Sequence, residues 1–150
     1  MSRRDGTRHE QALTSLVEIG AALQRLNRSF ERRLGLSIVQ WCVLYRLLDL
    51  PAASAQSLAR AVGVSPGTLT QSLRRLQRKG LVYVASDPTD ARRKSIAATR
   101  EGRDALLKAG KAFREGLARA TAVSGELQAV RNALAEALPR RRPVERVPVS

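Results

Sequence analysis

Apolar residues recur through residues 10–34 at alternating spacings of three and four: Leu13, Leu16, Gly20, Leu23, Phe30 and Leu34. That period draws one stripe along a helix. Asn27 interrupts the stripe, and Gly35 is a stop signal. Ser37 then has the character of an N-cap for a second helix reaching about Leu48. Its Trp41, Val43, Leu44, Leu47 and Leu48 predict burial almost all round. The run Asp49-Leu50-Pro51 ends it, because proline disfavours helix in the residue before it. Ser54 caps a short third helix over 55–62, which buries Leu58 with Ala59 and Val62 beside it, and Gly63 closes it. Ser65-Pro66 opens a fourth helix over 66–79, with serine at the N-cap and proline at the first helical position.

Beyond Gly80 the period changes. Residues 81–85 are β-prone, 86–94 are polar and turn-rich, and 95–99 form a return strand, so the segment reads as a hairpin with a long basic tip. Thr99 or its neighbour caps a long helix over 100–122, with Leu106, Leu107, Phe113 and Leu117 on its apolar side. Ser124 starts a last helix carrying Leu127, Val130, Leu134 and Leu138, and Pro139 ends it. Residues 1–9 are polar, basic and expected to fray. Residues 139–150 are rich in proline and arginine and expected to be disordered. The fold class is therefore mainly α with a small β-hairpin wing. Residues 10–138 are expected to form a single domain: a winged helix-turn-helix over 35–100, flanked by helices over 10–34 and 101–138.

The helix over 66–79 repays a closer look. Leu69, Leu73 and Leu76 lie on one side and pack on the core. About 180° away lie Gly67, Gln71, Arg74 and Arg78, flanked by Ser65, Thr68, Thr70 and Arg75. Gly67 lets a backbone approach, Gln71 suits adenine, and arginine suits guanine or phosphate. The second helix of such a pair enters the major groove of DNA. The bland alternative is a solvated face. A surface helix usually mixes signs, whereas this one has Arg74, Arg75, Arg78 and Lys79 and no acid.

Charge supports this only where it is placed. The net charge is +14, which attracts polyanions. Yet only four of the 27 basic residues are lysines, so an arginine-rich composition explains part of the surplus. Between Ser54 and Arg100, however, nine basic residues stand against Asp87 and Asp90 alone. Arg92, Arg93 and Lys94 fall on the hairpin tip, the other element that would reach DNA. A narrow minor groove attracts arginine there, with Asp90 orienting Arg92 through a charge-assisted fork. The alternative is a solvated turn with a weak surface ion pair.

Other chemistries find little footing. His9 is the single histidine and Cys42 the single cysteine. No nucleophile–base pair, phosphate loop or metal ligand set can be assembled from them, so the sequence points to no enzyme, cofactor or metal. No run approaches the length of a membrane span, and residues 1–10 lack the apolar core of a signal peptide; a cytoplasmic setting is expected, with no membrane contact.

The segments Val39-Gln40-Trp41-Cys42-Val43-Leu44, Ser57 through Thr70, Leu76 through Val82, and Asp87-Pro88-Thr89-Asp90-Ala91-Arg92 resemble the MarR family of bacterial transcriptional regulators. The last resembles the family's wing signature, in which aspartate and arginine brace the hairpin and an arginine reaches the minor groove; Asp90 and Arg92 match it, and Thr99 and Gly102 match the end of the wing and the start of the next helix. Ala91 departs from the usual arginine and Ala98 from the usual leucine. The resemblance implies a sequence-specific double-stranded DNA-binding regulator: a ligand-responsive repressor bound as a homodimer to a palindromic operator. DNA contacts are then expected from Ser65, Gly67, Thr68, Thr70, Gln71, Arg74, Arg75, Arg78, Arg92, Arg93 and Lys94, with Asp90 bracing the wing. A non-specific architectural DNA binder, or a winged helix turned to protein contacts, is the competing reading.

The resemblance further implies that the helices over 10–34 and 101–138 are dimerisation helices, pairing two chains. The stripe Leu127, Val130, Leu134, Leu138 needs cover, either from a second chain or from the first helix. The resemblance also implies a small-molecule effector near Trp41, Tyr45 and Phe30, although those aromatics fit a core role as well. Cys42, between Trp41 and Val43, is expected to be a core residue rather than an oxidant sensor.

Overall fold

The computed structural model describes residues 3–121 and 124–137. In chain order the elements are α1 (Arg3–Leu34), α2 (Ile38–Asp49), α3 (Ala55–Val62), α4 (Pro66–Arg78), β1 (Val82–Ser86), β2 (Lys94–Ala98), α5 (Arg100–Thr121) and α6 (Ser124–Ala137). The described residues fall into two compact units that divide between Lys111 and Ala112.

In the first unit the core gathers Leu36, Val43, Leu44, Leu58, Leu69, Leu76, Val82 and Ile96, all at most 2% exposed. α2 and α3 pack on each other and on α4, and the hairpin closes one side. The helix starts are made by local side chains. Ser37 Oγ accepts the Gln40 N–H at 3.1 Å while Gln40 Oε1 accepts the Ser37 N–H at 3.2 Å, a reciprocal capping box. Asn27, the break in the apolar stripe, has a structural purpose. Its Oδ1 accepts the Ile38 N–H at 2.8 Å, satisfying another orphan donor at the start of α2. A leucine there would leave that N–H without this partner.

Two expectations of burial need correction. Leu48 is 47% exposed and Trp41 only half-buried, so α2 is one-sided. At about 100° per residue, Leu48 lies roughly 90° from the centre of the face made by Gln40, Val43, Leu44 and Leu47. Likewise Leu106 is buried and Leu107 is 70% exposed: the step of about 100° from one residue to the next carries Leu107 off the face that buries Leu106, Ala109 and Phe113. Val62 and Leu117 are half-buried. α1 begins at Arg3 rather than near Glu10: a nucleated helix gains one hydrogen bond for each residue it fixes, and Arg3, Arg4 and Arg8 are good formers that carry it past the weaker Asp5, Gly6, Thr7 and His9. The expected tail over 139–150, and Leu138, lie outside the described residues.

Ser54 and Ser65 cap α3 and α4 as their positions predict, accepting the N–H of Ser57 at 3.1 Å and of Thr68 at 3.2 Å. Gly63 joins the two helices at φ +79°, a left-handed conformation that a side chain would oppose. α4 ends in a Schellman closure, with the Leu81 N–H on the Leu76 carbonyl at 3.0 Å and the Gly80 N–H on that of Gln77 at 2.9 Å. Leu81 is thereby committed to the helix end, which is why β1 starts at Val82 and not at Leu81.

β1 and β2 pair antiparallel in the register Val82↔Ala98, Val84↔Ile96 and Ser86↔Lys94. β2 is also held from its other edge. Ala53 donates to the Ile96 carbonyl at 3.1 Å and accepts the Ile96 N–H at 2.8 Å. Ala52 precedes this bridge at φ +59°, a costly conformation for alanine that turns the chain into it. β2 stops at Ala98 because Thr99 leaves the strand to cap α5, its Oγ1 accepting the Gly102 N–H at 3.0 Å. In the second unit, α6 exposes Leu127 by 51%, Val130 by 39% and Leu134 by 46%.

Candidate nucleic-acid interface

α4 is built with two opposed faces. Leu69, Ser72, Leu73 and Leu76 are buried. Gly67, Thr68, Thr70, Gln71, Arg74, Arg75 and Arg78 are all exposed, as is the cap Ser65. Several hydroxyls are already oriented. Ser65 Oγ and Thr68 Oγ1 share a hydrogen bond of 2.9 Å, and Thr70 Oγ1 donates to the Pro66 carbonyl at 2.9 Å. Thr70 therefore offers its lone pairs, as an acceptor, to any partner. Among the described residues none pairs with Arg74, Arg75 or Arg78 in an ion bridge, so their charge is available outward. Arg74 and Arg78 also line an open concavity of about 600 Å³ with Gln77, a residue that sequence reasoning passed over. Its flank position, between two arginines one turn apart, was the available signal. At the end of α4, Lys79 Nζ donates to the Gly35 carbonyl, tying this helix to the corner after α1.

The hairpin tip is closed by its own backbone. The Asp87 N–H donates to the Arg93 carbonyl at 2.8 Å and the Arg93 N–H to the Asp90 carbonyl at 2.9 Å. Asp87 Oδ1 accepts both the Thr89 N–H at 2.8 Å and the Thr89 hydroxyl at 2.6 Å. Those hydrogen bonds, the hydroxyl first, hold the Asp87 carboxyl below the ordinary carboxylate range. Asp90 works differently from the expected fork. Its Oδ1 accepts the backbone N–H of Arg92 at 3.0 Å, and its Oδ2 lies 4.0 Å from Nε of Arg93. The reason is steric reach: two residues on, the backbone amide is nearer to a turn carboxylate than the guanidinium is. The tip is thus shaped through main-chain bonds, and the side chains of Arg92, Arg93 and Lys94 are exposed. They border a cavity of about 940 Å³ that also touches Ser54 and Ala55 at the start of α3. Ala91 sits exposed on the tip.

A sequence model of the MarR family matches residues 34–93, the stretch from the end of α1 through the wing tip. The transcriptional regulator MOSR of M. tuberculosis, solved in complex with DNA, is 34% identical over 81% of this chain and 91% of its own, with a TM-score of 0.63. The chain belongs to the MarR family. The transcriptional regulator HosA of Escherichia coli O111:H- is 33% identical over 70 residues, 47% of this chain and 52% of HosA. The chain thus spans about half the length of HosA. S. aureus MepR, solved with DNA, matches at 20% identity over 83% of this chain and 96% of its own, with a TM-score of 0.69; at that identity the likeness is one of fold.

The rings of Trp41 and Tyr45 stack with centroids 5.2 Å apart and planes 10° from parallel, and Trp41 Nε1 donates to the Leu106 carbonyl at 3.3 Å. Cys42 is half-buried, and burial raises its thiol above the ordinary value despite the opposing charge of Arg46. A raised value keeps the thiol protonated at neutral pH, opposite to what a reactive cysteine needs. Among the described residues no group of three or more His, Cys, Asp or Glu is placed to hold a metal ion. No described helix is long and apolar enough to cross a membrane.

Proposed function

We propose that this MarR-family chain is a cytoplasmic repressor of transcription that binds a palindromic operator in double-stranded DNA as a homodimer. The observation that carries the reading is the outward face of α4: Gly67, Gln71, Arg74 and Arg78 in line, exposed, and without an acid among them. Ser65, Thr68, Thr70 and Arg75 flank that line. Arg92, Arg93 and Lys94 supply the wing contact, on a tip braced by Asp90. A homodimer is supported by the apolar surface left on the flanking helices. Leu13 is 64% exposed, Val17 73% and Leu23 54%, and α6 exposes its own leucines. Two-fold symmetry sets half-sites about 34–36 Å apart. A small-molecule effector belongs to the same reading and rests on the family resemblance alone.

The test is a selection of duplexes from random DNA, followed by affinities at two salt concentrations. A sequence-specific regulator yields a palindromic consensus and keeps a large specificity ratio as salt rises. Gln71→Ala relaxes base preference, whereas Arg92→Ala weakens binding by about 5- to 150-fold. No consensus, with affinity that collapses equally on all duplexes, would identify an architectural binder instead. Sedimentation at micromolar concentration reads the dimer, and a monomer there refutes the palindrome.

A further inference from the structure

β2 is the only strand connecting the wing tip to α5 among the described residues, and it is held at two places. Near its middle, Ile96 is buried and bonded in both directions to Ala53. At its end stands Thr99, where three elements meet on one residue. Its N–H donates to the Leu81 carbonyl at 3.0 Å, its Oγ1 donates to the Gly80 carbonyl at 2.7 Å, and the same oxygen accepts the Gly102 N–H at 3.0 Å. Gly80 and Leu81 close the C-terminal end of α4, the recognition helix of the DNA-binding reading, and Gly102 is in the first turn of α5. Alongside, the Arg103 guanidinium donates to the Ala98 carbonyl at 3.0 Å.

We propose that β2 acts as a lever pivoted at Ile96, and that Thr99 is a positioning residue which sets the wing's angle against the recognition helix. The proposal rests on the DNA-binding reading above. Thr99 is three residues from the pivot, an arm of about 10 Å at a strand rise of about 3.3 Å per residue. A shift of about 1 Å at Thr99 turns the strand by roughly 6° about Ile96. A guanidinium on the tip, roughly 15 Å beyond the pivot, then moves by about 1.5 Å. A hydrogen bond tolerates only about 0.5 Å. The hydroxyl therefore controls whether Arg92 meets its groove while α4 stays seated.

The duplex selected by the wild-type chain is the probe, and Thr99→Val removes the hydroxyl at constant shape. Arg92→Ala should cost about tenfold in affinity in the wild-type background and at most about twofold beside Thr99→Val. Gln71→Ala, on the major-groove face, should cost the same in both backgrounds. Thr99→Ser, which keeps the hydroxyl, should restore the full effect of Arg92→Ala. Should Thr99→Val melt below the assay temperature, Arg103→Met loosens the same junction while leaving the α5 cap intact, and is expected to show the same selective loss. An equal cost of Arg92→Ala in all these backgrounds overturns the lever. So does a Gln71→Ala effect that falls along with it, since that marks general loosening. Failure of the wild type to select any duplex refutes the DNA reading itself, a separate result.

Discussion

Gly102 is where one added methyl should do most damage. A Cβ built there would lie 2.0 Å from the Leu81 carbonyl oxygen, 3.0 Å from its carbon and 3.3 Å from Cδ2 of Leu44. Real Cβ atoms stay beyond about 3.0 Å, so the shortfall is about 1 Å against backbone. That oxygen cannot swing aside freely, because it accepts the Thr99 N–H. The start of α5 must back away, stretching the Thr99 bonds and opening space over buried Leu44. Overpacking costs about 1–3 kcal/mol and a weakened hydrogen bond about 1 kcal/mol, while alanine recovers up to about 1 kcal/mol of helix propensity. The net expectation for Gly102→Ala is a loss of about 1–4 kcal/mol. Gly116, in the same helix, is the control: a Cβ there meets nothing within 4 Å. Gly116→Ala should gain about 0.5–1 kcal/mol. Urea unfolding followed by circular dichroism, at one fixed protein concentration, reads both. The Gly102→Ala midpoint should fall by roughly 1–2 M and the Gly116→Ala midpoint should rise. If Gly102→Ala proves as stable as wild type, the close approach of α5 to Leu81 is refuted.

Two more outcomes follow from titration. Thr89→Val removes the larger of the bonds to Asp87, so the Asp87 carboxyl midpoint, followed by NMR, should rise back toward 3.8. In the folded wild type that midpoint lies lower; the turn's stabilisation is present above the unfolded value and is lost as pH falls through the folded one. A midpoint unmoved by Thr89→Val contradicts the hydrogen-bonded turn. At Cys42, burial raises the thiol's pKa, so in native protein at neutral pH a thiol reagent should react much more slowly than after unfolding. Equal rates in the two states would mean that Cys42 is open to solvent.

What could be read from sequence was local chemistry. Ser37, Ser54 and Ser65 cap helices because a serine oxygen reaches an N–H three residues on, wherever the fold places them. Gly63 marks its turn, and the outward line of Gly67, Gln71, Arg74 and Arg78 follows from helical period alone. What stayed hidden depends on partners distant in the chain. Asn27 looks like a flaw in a stripe until Ile38 arrives beside it. Gly102 gives no sign that Leu81 presses on it, and Ala52 gives none of its left-handed turn. The sequence pairs Asp90 with the guanidinium of Arg92, whereas the backbone amide of Arg92 is the nearer donor. Leu48 and Leu107 look like their buried neighbours Leu47 and Leu106, yet a step of one residue is enough there to turn the side chain out of the core.

Trp41 has a practical consequence. It is the sole tryptophan of the chain, half-buried, stacked on Tyr45 and bonded through its indole N–H to a carbonyl of α5. The molecule therefore carries its own optical label at the seam between α2 and α5, installed without chemistry or mutation. All tryptophan emission comes from one address. Parting α5 from α2 would wet the indole and redden that light; tightening the seam would do the reverse. Rapid mixing with a duplex or a small molecule can thus be followed in real time on the unmodified chain, and silence from Trp41 during binding would itself locate the event elsewhere.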